Sequence, residues 1–155
     1  MGDCFYCSKA EPVVQTKAGK IRGFKMNSTY TFHGIKYADA DRFQMPREVK
    51  PWKGIKNALA YGYVCPMLMQ DHPLMEVMIP HRYWPMDENC QYLNIWTQSL
   101  DPEAKKPVMV WLHGGGFFAG SSIEQVAQRI FIITIIILKL SRCSGYRKVV
   151  GDFFL

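Results

Sequence analysis

The chemistry-bearing residues of this 155-residue chain concentrate in one short run, His113-Gly114-Gly115-Gly116, which follows the apolar segment Pro107-Val108-Met109-Val110-Trp111-Leu112 without a break. Glycine loses more backbone entropy on folding than any other residue. Three in a row at a strand end therefore suggest positive φ or close backbone approach. Such a turn can aim successive N–H groups at one point and form a concavity for an anion. A developing oxyanion in acyl transfer is one natural occupant, and losing one donor from such a hole costs on the order of 3 kcal/mol of transition-state stabilisation. The same run also reads as a tight glycine turn that holds no ligand.

Other reactive residue types do not assemble into a site by spacing. Cys4 and Cys7 stand close together near the start, but no second C-x-x-C follows, and Cys65, Cys90 and Cys143 are isolated. A zinc ribbon would need the second pair, so no metal is expected. None of Ser8, Ser28, Ser99, Ser121, Ser122, Ser141 and Ser144 has glycine both two before and two after it, as a nucleophile elbow requires. His33, His72 and His81 all precede the glycine run.

The elements that must position the glycines are mostly strands. Val13 to Thr16 and Lys20 to Phe24 flank Ala18-Gly19 and read as a hairpin. Thr29 to Tyr37 is rich in β-branched and aromatic residues and reads as a third strand. Asp39 to Trp52 is polar, is punctuated by Pro46 and Pro51, and reads as surface loop. Residues 65–90 carry Pro66, Pro73, Pro80 and Pro85 and show no helical period; an irregular stretch of that length in a compact domain is usually functional or tied down. Tyr92 to Thr97 reads as a strand, and Pro107 to Leu112 as a strand covered on both faces. Ser121 and Glu124 fit a capping box opening a short helix to about Arg129, and Ile130 to Leu138 suits a buried strand.

Composition narrows the partners. With 48% hydrophobic and 21% charged residues the chain can build a core. Its net charge is +6, but residues 128–155 hold five basic residues and one acidic, or +4, which leaves +2 for the rest. A nucleic-acid reader would concentrate Lys and Arg on its body, so nucleic acid is not an expected partner. The most apolar stretch, Ile130 to Leu138, is nine residues, about half of a membrane span. Its continuous rather than amphipathic pattern also argues against interfacial binding, so no membrane partner is expected. Met1 to Val14 has no apolar signal-peptide core, and the cytoplasm is the expected compartment.

Several ordered motifs together resemble the type-B carboxylesterase family, the group of para-nitrobenzyl esterases, liver carboxylesterases and cholinesterases. Val14-Gln15-Thr16 with Gly19-Lys20-Ile21-Arg22-Gly23 is similar to its opening hairpin. Phe32 to Ala38, Arg42-Phe43 with Pro46, Trp52-Lys53-Gly54 and Cys65-Pro66 follow in family order. Glu88-Asn89-Cys90-Gln91-Tyr92-Leu93-Asn94-Ile95-Trp96 resembles the signature E-D-C-L-Y-L-N, departing from it at Asn89 and Gln91. Pro107 to Ser122 is the strongest match. The resemblance covers roughly residues 12–127.

What the resemblance implies is an α/β-hydrolase fold, present here as its β-rich N-terminal portion with a truncated sheet. It implies that Gly115 and Gly116 supply two oxyanion-hole N–H groups, that Gly114 permits the turn and that His113 shapes the loop. It pairs Cys65 with Cys90, as a disulfide or as two thiols, beside the gorge entrance. It also makes Arg42 and Glu88 a buried ion pair tying that loop to the body. A small-molecule ester is the implied substrate, and no cofactor is implied. The family's serine, acid and histidine triad has no counterpart in these residues, so the chain is expected to be inactive alone. With most of the family's sheet outside these residues, an apolar face and an unpaired edge are expected to lie open. Beyond residue 127 charge and composition change abruptly. Residues 1–127 are therefore read as the N-terminal part of a catalytic domain, and 128–155 as an aberrant tail, most simply a frameshift; a divergent continuation that still fills the expected strand is the other reading. The functional alternative is a non-catalytic, cholinesterase-like interaction protein.

Overall fold

A computed structural model describes residues 4–9, 11–66, 84–113, 120–123 and the backbone of 134–138. The described elements are β1 (Phe5–Tyr6), β2 (Val13–Gln15), β3 (Lys20–Arg22), β4 (Phe24–Met26), β5 (Thr29–Lys36), β6 (Ile55–Asn57), β7 (Tyr92–Thr97), β8 (Val108–Leu112) and β9 (Thr134–Leu138), with one 3₁₀ turn at Pro102–Ala104. They form a six-stranded sheet in the order β1-β4-β5-β7-β9-β8 and a three-stranded sheet in the order β2-β3-β6.

The hairpin reading of residues 13–24 needs one correction. β2 and β3 do pair antiparallel, Val14 opposite Ile21, but the returning strand divides at Gly23. Its second half, β4, belongs to the large sheet and pairs with β5. β1 and β6 have no sequence counterpart in the reading above; each is only two or three residues and too short to show alternation. Residues 39–52 carry a single bridge, between Asp39 and Arg47, and otherwise no strand.

β5 and β7 form the antiparallel centre, with Phe32 opposite Ile95 and Ile35 opposite Leu93, and a bulge between the two pairs. A bulge takes backbone groups out of the ladder, and buried ones need other partners. Here the His33 N–H donates to the Ala58 carbonyl at 2.8 Å, and the Gly34 N–H to Asn94 Oδ1 at 2.9 Å. Gly34 has φ +64°, and a Cβ there would lie 2.4 Å from the Ala60 carbonyl oxygen. Only glycine fits that position without displacing backbone.

Ala58 also joins the two sheets, because its N–H donates to the Arg22 carbonyl at 2.7 Å. The core lies between them: Ile21 and Ala58 from the side of the small sheet meet Phe32, Ile35, Tyr37, Ala38 and Leu93, with Val14, Trp52 and Ile95 packed around them. Among the described residues no helix is long and apolar enough to cross a membrane.

β8 is the last strand of the large sheet, held by β9 alone among the described strands. Residues paired across neighbouring strands share a face. The register Ile95–Ile136–Val110 and Leu93–Leu138–Leu112 therefore carries the core face onto β8. There the small sheet no longer covers it, and Val108, Val110 and Leu112 are 56%, 45% and 47% exposed. Covering on both faces, expected from five successive apolar residues, is not what β8 has here, since a strand beyond the reach of the second layer keeps one open face.

Candidate active site

β8 ends at Leu112, and the half-buried His113 leaves the sheet edge directly after it. Gly114, Gly115 and Gly116 lie outside the described residues. The chain re-enters at Gly120, with φ +89°, and runs into Ser121, Ser122 and Ile123, all three buried. The Ser121 hydroxyl accepts the Ile123 N–H at 3.4 Å, the short-range bond by which a serine satisfies a turn or a first-turn donor. Glu124 and the helix expected after it lie outside the described residues.

Ser122 is held by Asn94, which is 2% exposed on β7. Asn94 Nδ2 donates to Ser122 Oγ at 3.2 Å and reaches its carbonyl at 3.5 Å, while Oδ1 takes the Gly34 N–H. One buried amide thus links the β5 bulge to the return arm of the glycine loop. The motif reading attached no role to Asn94. The signal was present as a polar residue inside the otherwise apolar Leu93-Asn94-Ile95-Trp96, and a buried amide is tolerated only when its hydrogen bonds are made.

Cys65 and Cys90 belong to the neck of the segment 67–83, which itself lies outside the described residues. Val64 bridges Met86, its N–H donating to the Pro85 carbonyl and its carbonyl accepting from the Asp87 N–H, each at 3.0 Å. Cys65 is half-buried and Cys90 fully buried. Arg42 Nη1 lies 3.1 Å from Glu88 Oε1, but the side chains are 67% and 50% exposed. The contact is made on the surface and is not buried as the resemblance implied, so it contributes at most about 1 kcal/mol.

The departure at Asn89 has a local explanation. Its Nδ2 donates to Asp39 Oδ1 at 3.2 Å, a bond an aspartate could not give. Asp39 also pairs with Lys36. The Lys36 hydrogen bond holds the Asp39 carboxyl below its ordinary value, partial burial opposes this, and Asn89 adds to the lowering.

His33 packs among aromatic rings. It stacks on Tyr61 at 4.1 Å and meets Phe24 and Trp96 edge-on at 5.4 and 5.5 Å. Burial pushes its pKa down to about 4, so it is neutral at pH 7. It serves here as a packed aromatic ring and not as a base. Among the described residues, no three His, Cys, Asp or Glu side chains converge as a metal site would require.

The model of the carboxylesterase family matches residues 10–141. The chain belongs to the carboxylesterase family. It is 35% identical over 114 residues to the phenmedipham hydrolase of Pseudarthrobacter oxydans, spanning 71% of this chain and 23% of that one. It is 33% identical over 116 residues to the para-nitrobenzyl esterase of Bacillus subtilis (strain 168), spanning 72% and 23%. Among solved structures, an esterase from Clostridium hathewayi, described as able to hydrolyse aliphatic aromatic polyesters, superposes with a TM-score of 0.80 at 53% identity, covering 89% of this chain and 28% of that one. A para-nitrobenzyl esterase superposes at 0.67 with 28% identity, covering 82% and 27%.

The fold is therefore the α/β-hydrolase fold of the carboxylesterases in its β-rich N-terminal part. The chain spans about a quarter of the length of the curated relatives it matches. The family match also continues past residue 127, where composition changes, and takes in β9.

Proposed function

We propose that this chain is the part of a carboxylic ester hydrolase that builds the oxyanion hole and not the part that attacks. In the whole enzyme a serine outside these residues would add to the carbonyl carbon of a small ester, and its proton would pass to a histidine base. The carbonyl oxygen would take the negative charge, with Gly115 and Gly116 N–H groups donating to it and Gly114 giving the backbone its turn. Collapse of the tetrahedral adduct would expel the alcohol, protonated by that histidine as it leaves, and leave an acyl-serine for water to cleave. His113, between the end of β8 and the glycines, orients the loop and moves no proton.

The observation that carries this reading is that the glycines leave a sheet edge at His113 and return to a buried arm at residues 120–123. A hole can stabilise charge only if its donors are held before the reaction, and both ends of this loop are held. Cys65 and Cys90, at the neck of the 67–83 segment, would restrain one rim of the substrate entrance, with Arg42 and Glu88 as an outer tie.

The reading is tested by grafting. Residues 10–123 would replace the matching segment of the Bacillus subtilis para-nitrobenzyl esterase, and hydrolysis of a para-nitrobenzyl ester would be followed for the graft and for the 155-residue chain alone. The expected result is turnover by the graft and none by the chain. A folded graft without turnover, or turnover by the chain alone, would overturn it.

A further inference from the structure

We infer that Asn94 is a positioning residue that sets the glycine loop from both sides, an inference that rests on the oxyanion reading of that loop. The outgoing side is set by sheet register. Asn94 pairs with Ile137 on β9, and Ile137 pairs with Trp111 on β8, so Asn94 stands in one row across the sheet with the residue two before His113. The returning side is set by side-chain bonds, through Asn94 Nδ2 to Ser122 Oγ at 3.2 Å and to its carbonyl at 3.5 Å. The six residues 114–119, between His113 and Gly120, are thus bounded by two anchors that refer to the same residue.

An amide is the side chain this place needs. It must accept from the Gly34 N–H, which the bulge has turned out of the ladder, and donate toward Ser122 at the same time. Leucine could fill the volume but would leave the Gly34 donor and the Ser122 carbonyl without this partner in a buried place. Aspartate could still accept from Gly34, but it has no N–H to give the Ser122 carbonyl.

The test uses the full 155-residue chain, ¹⁵N-labelled, as wild type, Asn94→Asp and Asn94→Leu. Amide hydrogen exchange is read at Gly34, at Ile123 and along β5 and β7, and phenylphosphonate is titrated as a tetrahedral oxyanion while the Gly115 and Gly116 amides are followed. Both variants are expected to exchange the Ile123 amide about tenfold faster, the loss of roughly one buried hydrogen bond. Only Asn94→Leu should also expose Gly34, and the β5 and β7 amides should keep their protection in Asn94→Asp. Phenylphosphonate should bind Asn94→Asp more weakly than wild type. Unchanged exchange at Ile123 in both variants would overturn the inference, and so would an equal loss at every amide in Asn94→Asp, which marks a general structural role. If wild-type Gly115 and Gly116 ignore phenylphosphonate, the oxyanion reading fails, while the exchange pattern still decides whether Asn94 holds the arm.

Discussion

His33 shows how a titratable residue can be removed from chemistry by its surroundings. Phe24, Tyr61 and Trp96 enclose the ring, and burial lowers its pKa from 6.5 to about 4. The folded state binds this proton less readily than the unfolded chain. Its contribution is therefore fully present above pH 6.5 and is lost as pH falls toward 4, a difference of roughly 3 kcal/mol. The imidazole resonances of His33 in the intact chain are expected to titrate with a midpoint near 4. A midpoint close to 6.5 would mean that the aromatic enclosure does not form. Sequence order already set His33 apart from a triad base, but the enclosure was not legible, because Tyr61 and Trp96 come from distant segments.

At the scale of elements, legibility followed length. Thr29–Lys36 and Tyr92–Thr97 show as strands in the sequence because each is long enough to display its β-branched and aromatic content. β1 and β6 do not, since a strand of two or three residues is defined by its neighbour's edge and has no pattern of its own. The exchange of sheets at Gly23 was hidden for the same reason. β9 is the element with most at stake, because it lies between β7 and β8 and is antiparallel to one and parallel to the other. Proline there would remove a ladder donor from an interior strand. Ile136→Pro is expected to abolish hydrogen-exchange protection in β8 and along the β9 side of β7, leaving the β2-β3 hairpin protected. Retained protection in β8 would show that residues 134–138 do not fill the sheet, as an aberrant tail beginning at 128 would require.

For the molecule as a whole, the decisive feature is an apolar face larger than the layer that covers it. The small sheet shields β5 and β7, while Val108, Val110 and Leu112 remain open on a strand that has no second neighbour among the described strands. An open edge with an apolar face is a template for association. The chain is expected to self-associate with rising concentration in sedimentation velocity, and Val110→Lys to shift it toward monomer. Wild type that stays monomeric at high concentration would show that the face is covered in solution. The family was legible from sequence because it rests on local order of residues. Which strand carries the open face was not, because that depends on where β9 and the small sheet end.

The central claim is that Gly115 and Gly116 donate to the oxyanion. The most direct measurement is steady-state kinetics of the para-nitrobenzyl esterase graft carrying Gly115→Pro or Gly116→Pro, since proline has no N–H to donate. The account predicts that kcat falls by about 10²–10³ in each variant while KM changes little, as expected when a bond made only in the transition state is lost. A folded variant that keeps the kcat of the graft would contradict it.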